Sequence, residues 1–263
     1  MTATTYTVPM AGIDPVEVTV TSYGAGPPFL LLHGGAGPQS VTGFAELLAA
    51  AHDARVLVPV HPGFDGTRRP DGLTRISQLA ELYNGLIELL GLADVTVIGN
   101  SIGGWITAEI ALLRSPRISG IVLIDAVGLE VPGHPVADFF SMTMDEVFTR
   151  TFHNPEPFRV DPSALPPAAQ AVAAGNRAAI AAYAGPTMSD PGLAARLATL
   201  DIPALVLWGD SDRIADPGYG RAYAAAIPLA RFQLLPDTGH APQQETPDLV
   251  LHAIKGGNGE SGS

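Results

Sequence analysis

One stretch constrains the fold of this chain more than any other: Asp94 to Leu113, DVTVIGNSIGGWITAEIALL. Val95, Val97 and Ile98 make a short apolar run rich in β-branched residues, the composition of a buried strand. Ile102, Trp105, Ile106, Ile110 and Leu113 follow at spacings of three and four, which predicts an amphipathic helix. Between them lies Gly99-Asn100-Ser101-Ile102-Gly103, a G-x-S-x-G sequence. A strand that becomes a helix over so few residues must turn sharply. The residue at the apex is then strained, and its side chain stands exposed above the sheet. Glycines two places to either side let strand and helix approach without a Cβ clash. In a chain with 29 glycines the bare pattern is modest evidence. The strand before it and the helix after it are independent requirements, and both are met. Ser101 is the candidate nucleophile.

Composition narrows the remaining choices. A chain of 263 residues with 46% apolar and 15% charged residues suits one α/β domain with a substantial core. The formal net charge is −12, and Lys255 is the one lysine among 14 basic residues, which argues against nucleic acid or an anionic membrane as a partner. There is no cysteine, hence no disulfide frame, no thiolate nucleophile and no cysteine-based metal site. The first residues lack a basic and an apolar region, so no signal peptide is expected, and no uncharged apolar run is long enough to span a membrane. A cytoplasmic protein acting on a small molecule, with no metal and no cofactor, is the expectation. The Gly/Ser-rich tail, residues 256–263, is expected to be flexible.

Residues 4–23 predict a hairpin turning near Gly12-Ile13-Asp14-Pro15, with Val16, Val18 and Val20 on one face of its second strand. Phe29 to Leu32 is a continuous apolar run, a strand buried on both faces, and it ends in His33-Gly34-Gly35-Ala36-Gly37-Pro38. A helix over 41–51, a strand over 56–60 and a helix from Ile76 to Leu90 closed by Gly91 precede the Ser101 unit; a strand over 121–125 follows it. Strands alternating with helices imply a parallel sheet wound through βαβ units. The alternation breaks over 129–200, where Pro-punctuated helical segments occur without a clear strand. It resumes with a strand over 204–208, a helix over 219–226, a strand over 231–235 and a helix over 248–254. The expected division is therefore a core of 1–128 and 201–255 with a helical insertion, 129–200, at the carboxyl end of the strands, where ligands bind in such sheets.

A serine hydroxyl needs a base to take its proton and an acid to orient that base. His240 lies between the last strand and the last helix, in Pro236-Asp237-Thr238-Gly239-His240, where a base is wanted. For the acid, Asp210, Asp212 and Asp216 follow the Trp208 strand, and Asp125 ends an earlier one. Asp212 is preferred because its loop can lean toward the site, whereas Asp210 abuts the strand. The others then serve as loop caps. An acyl-transfer intermediate also needs two donors for its oxyanion: the amide of Ile102, next after the serine, and one from the glycine-rich loop after an early strand, assigned to Gly35.

On His33-Gly34-Gly35, Gly99-Asn100-Ser101-Ile102-Gly103-Gly104, Gly209 to Asp212 and Thr238-Gly239-His240, in that order, the chain resembles the α/β-hydrolase fold superfamily. The resemblance implies an eight-stranded, mostly parallel sheet flanked by helices, with a helical cap inserted after strand 6. It also implies Asp212, the Asp of a Gly-x-x-Asp segment, as the acid. Serine at the elbow sets the chain apart from the haloalkane dehalogenases and epoxide hydrolases, which use aspartate there. The elbow and the His-Gly-Gly-x-Gly loop are similar to those of meta-cleavage-product C–C hydrolases, as is Val160-Asp161-Pro162-Ser163 more faintly. Against these, Ala241 stands where such enzymes carry Trp, and neither Arg159 nor Arg177 is clearly their cap arginine.

Five of the nine phenylalanines, Phe139, Phe140, Phe148, Phe152 and Phe158, lie in the insertion with Met142 and Met144. They can wall an apolar pocket or seat the insertion on the sheet. The Pro155–Pro167 stretch reads as a connection that could gate entry. Gly34, Phe140 and Met144 are the expected substrate contacts. A carboxylesterase-like serine hydrolase is the leading expectation, a C–C hydrolase using the same residues the second. A non-catalytic receptor on the same fold is a third, which acyl release would exclude.

Overall fold

The first two strands of the computed structural model, β1 (Thr2–Met10) and β2 (Ile13–Tyr23), form the expected hairpin. They turn through Ala11-Gly12, slightly ahead of the predicted position, with Gly12 at a φ of 77°. Pro15 falls where the register shifts between Val8 and Met10, an irregularity that spares the ladder its missing N–H. Residues 1–161 and 164–257 are described. Pro162 and Ser163 of the Val160–Ser163 segment, and residues 258–263 of the tail, lie outside the described residues.

The βαβ alternation follows: β3 (Pro28–Leu32), α1 (Gln39–Ala51), β4 (Arg55–Pro59), α2 (Ile76–Leu89), β5 (Val95–Asn100), α3 (Ile102–Leu112) and β6 (Ile118–Ile124). Residues 128–200 contribute β7 (Gly128–Leu129), α4 (Met144–Thr151), a 3-10 turn (Glu156–Phe158), α5 (Pro167–Ala184), β8 (Ser189–Asp190) and α6 (Leu193–Leu197). The chain then returns through β9 (Ala204–Gly209), α7 (Pro217–Ala225), β10 (Ala230–Leu235), α8 (Pro242–Glu245) and α9 (Pro247–Gly257). No described helix is long and apolar enough to cross a membrane.

Among the described residues, eight strands form one sheet in the order β1-β2-β4-β3-β5-β6-β9-β10. Only β2 runs against its neighbours. Leu30, Leu32, Val95 and Val97 face the core that contains residues of α2, α3 and α7. Phe29, Leu31 and Ile98 face the core shared with α1 and α9. The pleat thus divides one continuous apolar run between two cores, which explains why β3 carries no polar face. The winding direction reverses between β3 and β5, and a crevice opens there at the carboxyl ends of the strands.

Two local expectations are corrected. The helix α3 is buried on every face from Ile102 to Ala111, not amphipathic. The sheet covers one side, while α2 and α6 cover others. Its polar Glu109 is tolerated because Arg196 of α6 makes a two-pronged ion pair with it, at 2.6 and 2.7 Å. In the stretch where the sequence shows no strand, β7 and β8 pair in parallel over two residues each, too short to carry a period of two.

Polar side chains seat α5 across the loops that follow β3 and β4. Asn176 Nδ2 donates to Ala36 O at 3.3 Å, and its Oδ1 accepts from Asp65 N at 2.9 Å. Tyr183 Oη donates to Pro62 O at 2.9 Å.

Candidate active site

Ser101 sits at the apex between β5 and α3 with φ 56° and ψ −119°, a region costly for a residue with a Cβ. The packing around it compels this. A Cβ on Gly99 would stand 2.1 Å from Gly103 O, and one on Gly103 2.4 Å from Leu32 O. The turn is held by Ser101 N donating to Ile124 O at 3.0 Å and by Val127 N donating back to Ser101 O at 3.2 Å. Half-buried Ser101 accordingly points its hydroxyl out of the elbow toward the loop after β10.

His240 meets it there. Its Nε2 lies 2.9 Å from Ser101 Oγ, and its Nδ1 lies 2.7 Å from Asp212 Oδ2. A carboxylate only accepts, so Nδ1 carries the proton and Nε2 accepts from the serine hydroxyl. Asp212 is nearly fully buried in the loop after β9. Its Oδ1 accepts from Ile214 N at 2.7 Å and Ala215 N at 3.1 Å. The other carboxylates after β9 are engaged elsewhere. Asp210 Oδ1 accepts from Ser211 Oγ and Thr238 N. Asp216 caps α7 through Tyr219 N and pairs with His134.

The His240 loop is pinned from three sides. His240 N donates to Thr151 O of α4 at 2.6 Å. Glu245 Oε2 accepts from Gly239 N at 2.7 Å while the same carboxylate holds His153 N and Asn154 N. Asn100 Nδ2 donates to His240 O at 3.0 Å, and Gln243 Nε2 donates to Asn100 Oδ1 at 3.2 Å. A Cβ on Gly239 would stand 2.1 Å from Thr151 O, so only glycine lets the insertion approach this loop.

Gly34 and Gly35 follow β3 directly above the elbow: a Cβ on Gly34 would lie 3.3 Å from Ser101 Cβ, and one on Gly35 would meet Ile180 of α5. The loop is braced by buried rings. His33 Nδ1 donates to Gly34 O at 2.8 Å and His33 Nε2 accepts from His61 N at 3.1 Å; His61 Nδ1 accepts from Tyr83 Oη at 2.5 Å. Burial pushes the His33 imidazole down to about 4 and holds His61 well below its ordinary value.

The insertion's aromatics make two clusters. Phe139 and Phe140 meet edge to face and lie under the Arg177 guanidinium, 4.9 and 5.9 Å from it. Phe152 stacks between Phe148 and Phe158 and is buried. Such packing seats the insertion on itself and on the His240 loop. Met144 opens α4 and is 39% exposed at the surface.

Asp125, Asp212 and His240 have ligand atoms within 4.8 Å of one another. Of these, His240 Nδ1 and Asp212 Oδ2 are hydrogen-bonded to each other at 2.7 Å, so the nitrogen that an ion would need carries the proton of that bond.

Residues 29–253 match the family described as Alpha/beta hydrolase family. The chain belongs to that family. Among its alpha/beta hydrolase relatives, Lipase 1 of Psychrobacter immobilis is 28% identical over 246 residues, covering 88% of this chain and 76% of its own length. The 2-hydroxymuconate semialdehyde hydrolase of Pseudomonas putida is 33% identical over 112 residues, 41% of this chain and 40% of that one. A thermophilic esterase from Thermogutta terrifontis has the same fold over 97% of both chains, with a TM-score of 0.77 and 26% identity.

Sequence reasoning missed Asn100, Gln243, Glu245 and Thr151 as supports of the His240 loop. Asn100 was visible only as the variable residue of G-x-S-x-G. The Asn176 and Tyr183 contacts left no trace in an alanine-rich helix.

Proposed function

We propose that this chain is a serine hydrolase that cleaves a small, largely apolar carboxylic ester through an acyl-enzyme. One observation carries the reading: an unbroken hydrogen-bonded line from Asp212 through His240 to a serine hydroxyl held at a strained elbow. In this reading Ser101 Oγ attacks the ester carbonyl and its proton passes to His240 Nε2. The tetrahedral oxyanion forms beside the amides of Ile102 and Gly35; losing one such donor costs about 10²–10³ in rate. Collapse expels the alcohol, which takes the proton from His240. Water then attacks the acyl group, activated by the same imidazole, and returns Ser101 to its starting state. Asp212 holds the ring in the tautomer this requires. The relatives named as a lipase and an esterase support ester bonds as the target. The residues between β6 and β9 act as the cap over the crevice, with the Phe139–Phe140 and Phe148–Phe152–Phe158 clusters giving it its shape.

Likeness to a 2-hydroxymuconate semialdehyde hydrolase favours C–C cleavage as a second reading. The arginines weigh against it. Arg159 is engaged by Asp145 and Glu156, and Arg177 lies over two phenylalanines while donating to Phe139 O and Met142 O. Both guanidiniums are thereby committed rather than turned to a substrate carboxylate.

The test is Ser101→Ala. It abolishes fluorophosphonate labelling and turnover of activated aryl esters; persistent labelling in the variant refutes the nucleophile. A coloured dienoate cleavage product separates the two readings. Rapid bleaching selects C–C cleavage, and inertness beside brisk ester turnover selects the esterase.

A further inference from the structure

Asp125 directly follows β6 with a backbone φ of 44°, and the proposed reaction makes no use of its side chain. It is fully buried. Its amide continues the sheet by donating to Leu207 O at 3.0 Å, and its Oδ1 accepts from Gly209 N at 2.9 Å. Its Oδ2 has no hydrogen-bond donor among the described residues. A carboxylate oxygen of Asp212, itself an acceptor, lies within 4.8 Å of the Asp125 carboxylate. Two buried acceptors so close are unfavourable unless a proton lies between them.

Which carboxyl holds the proton follows from the partners of each. Asp212 already accepts three hydrogen bonds, from Ile214 N, Ala215 N and His240 Nδ1. Asp125 has the single amide of Gly209. The ionisable groups facing Asp125 from the surrounding elements are Asp212 after β9, His240 after β10 and Glu245 of α8. Two of the three are carboxylates.

We propose that Asp125 is held as the neutral carboxylic acid and donates a hydrogen bond to Asp212, making it a positioning residue that fixes the carboxylate beneath His240. Burial and the Asp212 charge both push the Asp125 carboxyl well above the ordinary carboxylate range, consistent with this arrangement. The pair then carries one negative charge. The donor from Asp125 holds Asp212 turned so that Oδ2 faces the imidazole and Oδ1 faces the two amides. The inference rests on the triad reading for its catalytic meaning, though not for the protonation state itself.

Asp125→Asn is the informative variant. An amide keeps an acceptor for Gly209 N and a donor for Asp212, and asparagine tolerates a positive φ. Two readouts decide. In the infrared difference spectrum of wild type minus Asp125→Asn at about pH 7, a carboxylic-acid C=O band is expected. Its absence overturns the proposal. In the pH profile of kcat/KM for an activated aryl ester, the acid limb reports the proton affinity of the free base. Replacing a neutral acid by a neutral amide leaves that limb within about 0.3 unit of wild type. An ionised Asp125 would instead be supporting the imidazolium. Its removal would move the acid limb to lower pH by about one unit or more, and that shift also overturns the proposal. The infrared band is independent of turnover. Failure of the triad reading, shown by an active Ser101→Ala, is therefore distinguishable from failure of this one.

Discussion

Asn100 Nδ2 donates to the carbonyl of His240 at 3.0 Å, joining the residue before the elbow serine to a residue 140 positions later in the chain. The same amide donates to Ile124 O at 3.2 Å and its oxygen accepts from Gln243. One side chain therefore sets the spacing of β5, β6 and the His240 loop. Asn100→Leu leaves two buried carbonyls without this donor, at roughly 1–3 kcal/mol each. The expected outcome is a lower urea midpoint and a fall in kcat of about tenfold with KM nearly unchanged, since a displaced imidazole weakens proton transfer rather than binding. Asn100→Asp is worse than Leu, because it sets a carboxylate against two carbonyl oxygens. Steady-state kinetics beside urea titration checks both.

The glycines divide by what surrounds them. At Gly99 and Gly103 an added methyl meets backbone atoms at 2.1 and 2.4 Å, and backbone cannot step aside. Alanine at either position is expected to cost several kcal/mol or prevent folding. Gly43 in α1 and Gly175 in α5 are exposed, lie inside helices and have nothing within 4 Å of the added atom. Alanine there stabilises by about 0.5–1 kcal/mol through lost chain entropy in the unfolded state. Thermal melts of the four single variants test the division.

Acid should unfold this protein partly through His33 and His61. Each ring is neutral with one donor and one acceptor position filled: His61 Nε2 donates to His33 O at 3.0 Å and its Nδ1 accepts from Tyr83 Oη. A second proton has nowhere to go. The ordinary histidine value is near 6.5 and His33 is pushed down to about 4, so the unfolded chain binds protons that the native one refuses. The stability from the neutral ring is complete above about pH 6.5 and falls away as the pH drops toward about 4. For His33 alone it amounts to about 3 kcal/mol, with His61 acting in the same direction. Urea midpoints at about pH 7 and about pH 4.5 measure the loss. His33→Gln, which keeps a donor and an acceptor, gives a lower midpoint at neutral pH and a shallower decline.

Much of the fold was legible because two periods carry it. The unbroken run Phe29–Leu32 announced a strand with both faces covered, and the elbow pattern announced the turn from β5 into α3. Periodicity misjudged α3 itself. It counted the apolar positions and passed over small residues such as Gly103, Gly104 and Ala108, which are buried because other elements lie close against them. The candidate site was legible as an order of loops, since Ser101, Asp212 and His240 each follow a strand. Four aspartates competed for the acid position, and only tertiary geometry separates the cap of α7 at Asp216 and the loop bond of Asp210 from the carboxylate that reaches His240. Contacts made by single polar side chains, such as Asn176 on Asp65 and Ala36, have no spacing to betray them.

The last prediction concerns the ion pair that lets a glutamate lie inside α3. Glu109 is 8% exposed in its side chain and is held by both arms of Arg196, which also reaches Asp190 of β8 at 2.5 Å. Arg196 is itself partly exposed, so screening weakens its attraction, and the pair is not worth its full Coulomb energy. The asymmetry lies with the glutamate. Arg196→Met leaves a buried carboxylate without its cation, a change that costs about 3–5 kcal/mol for a fully buried pair and somewhat less here. Arg196→Lys does not restore the loss, because a single ammonium cannot grip two oxygens and Asp190 at once. Removing the stranded charge should recover most of it: Glu109→Gln with Arg196→Met is expected to be more stable than Arg196→Met alone. Chemical denaturation of wild type, Arg196→Met, Glu109→Gln and the double variant measures the cycle. Amide exchange should show protection lost first at α6 and at the β7–β8 ladder, the elements Arg196 ties to the sheet. Equal stability of the single Arg196→Met and the double variant would mean that the glutamate charge costs nothing where it lies.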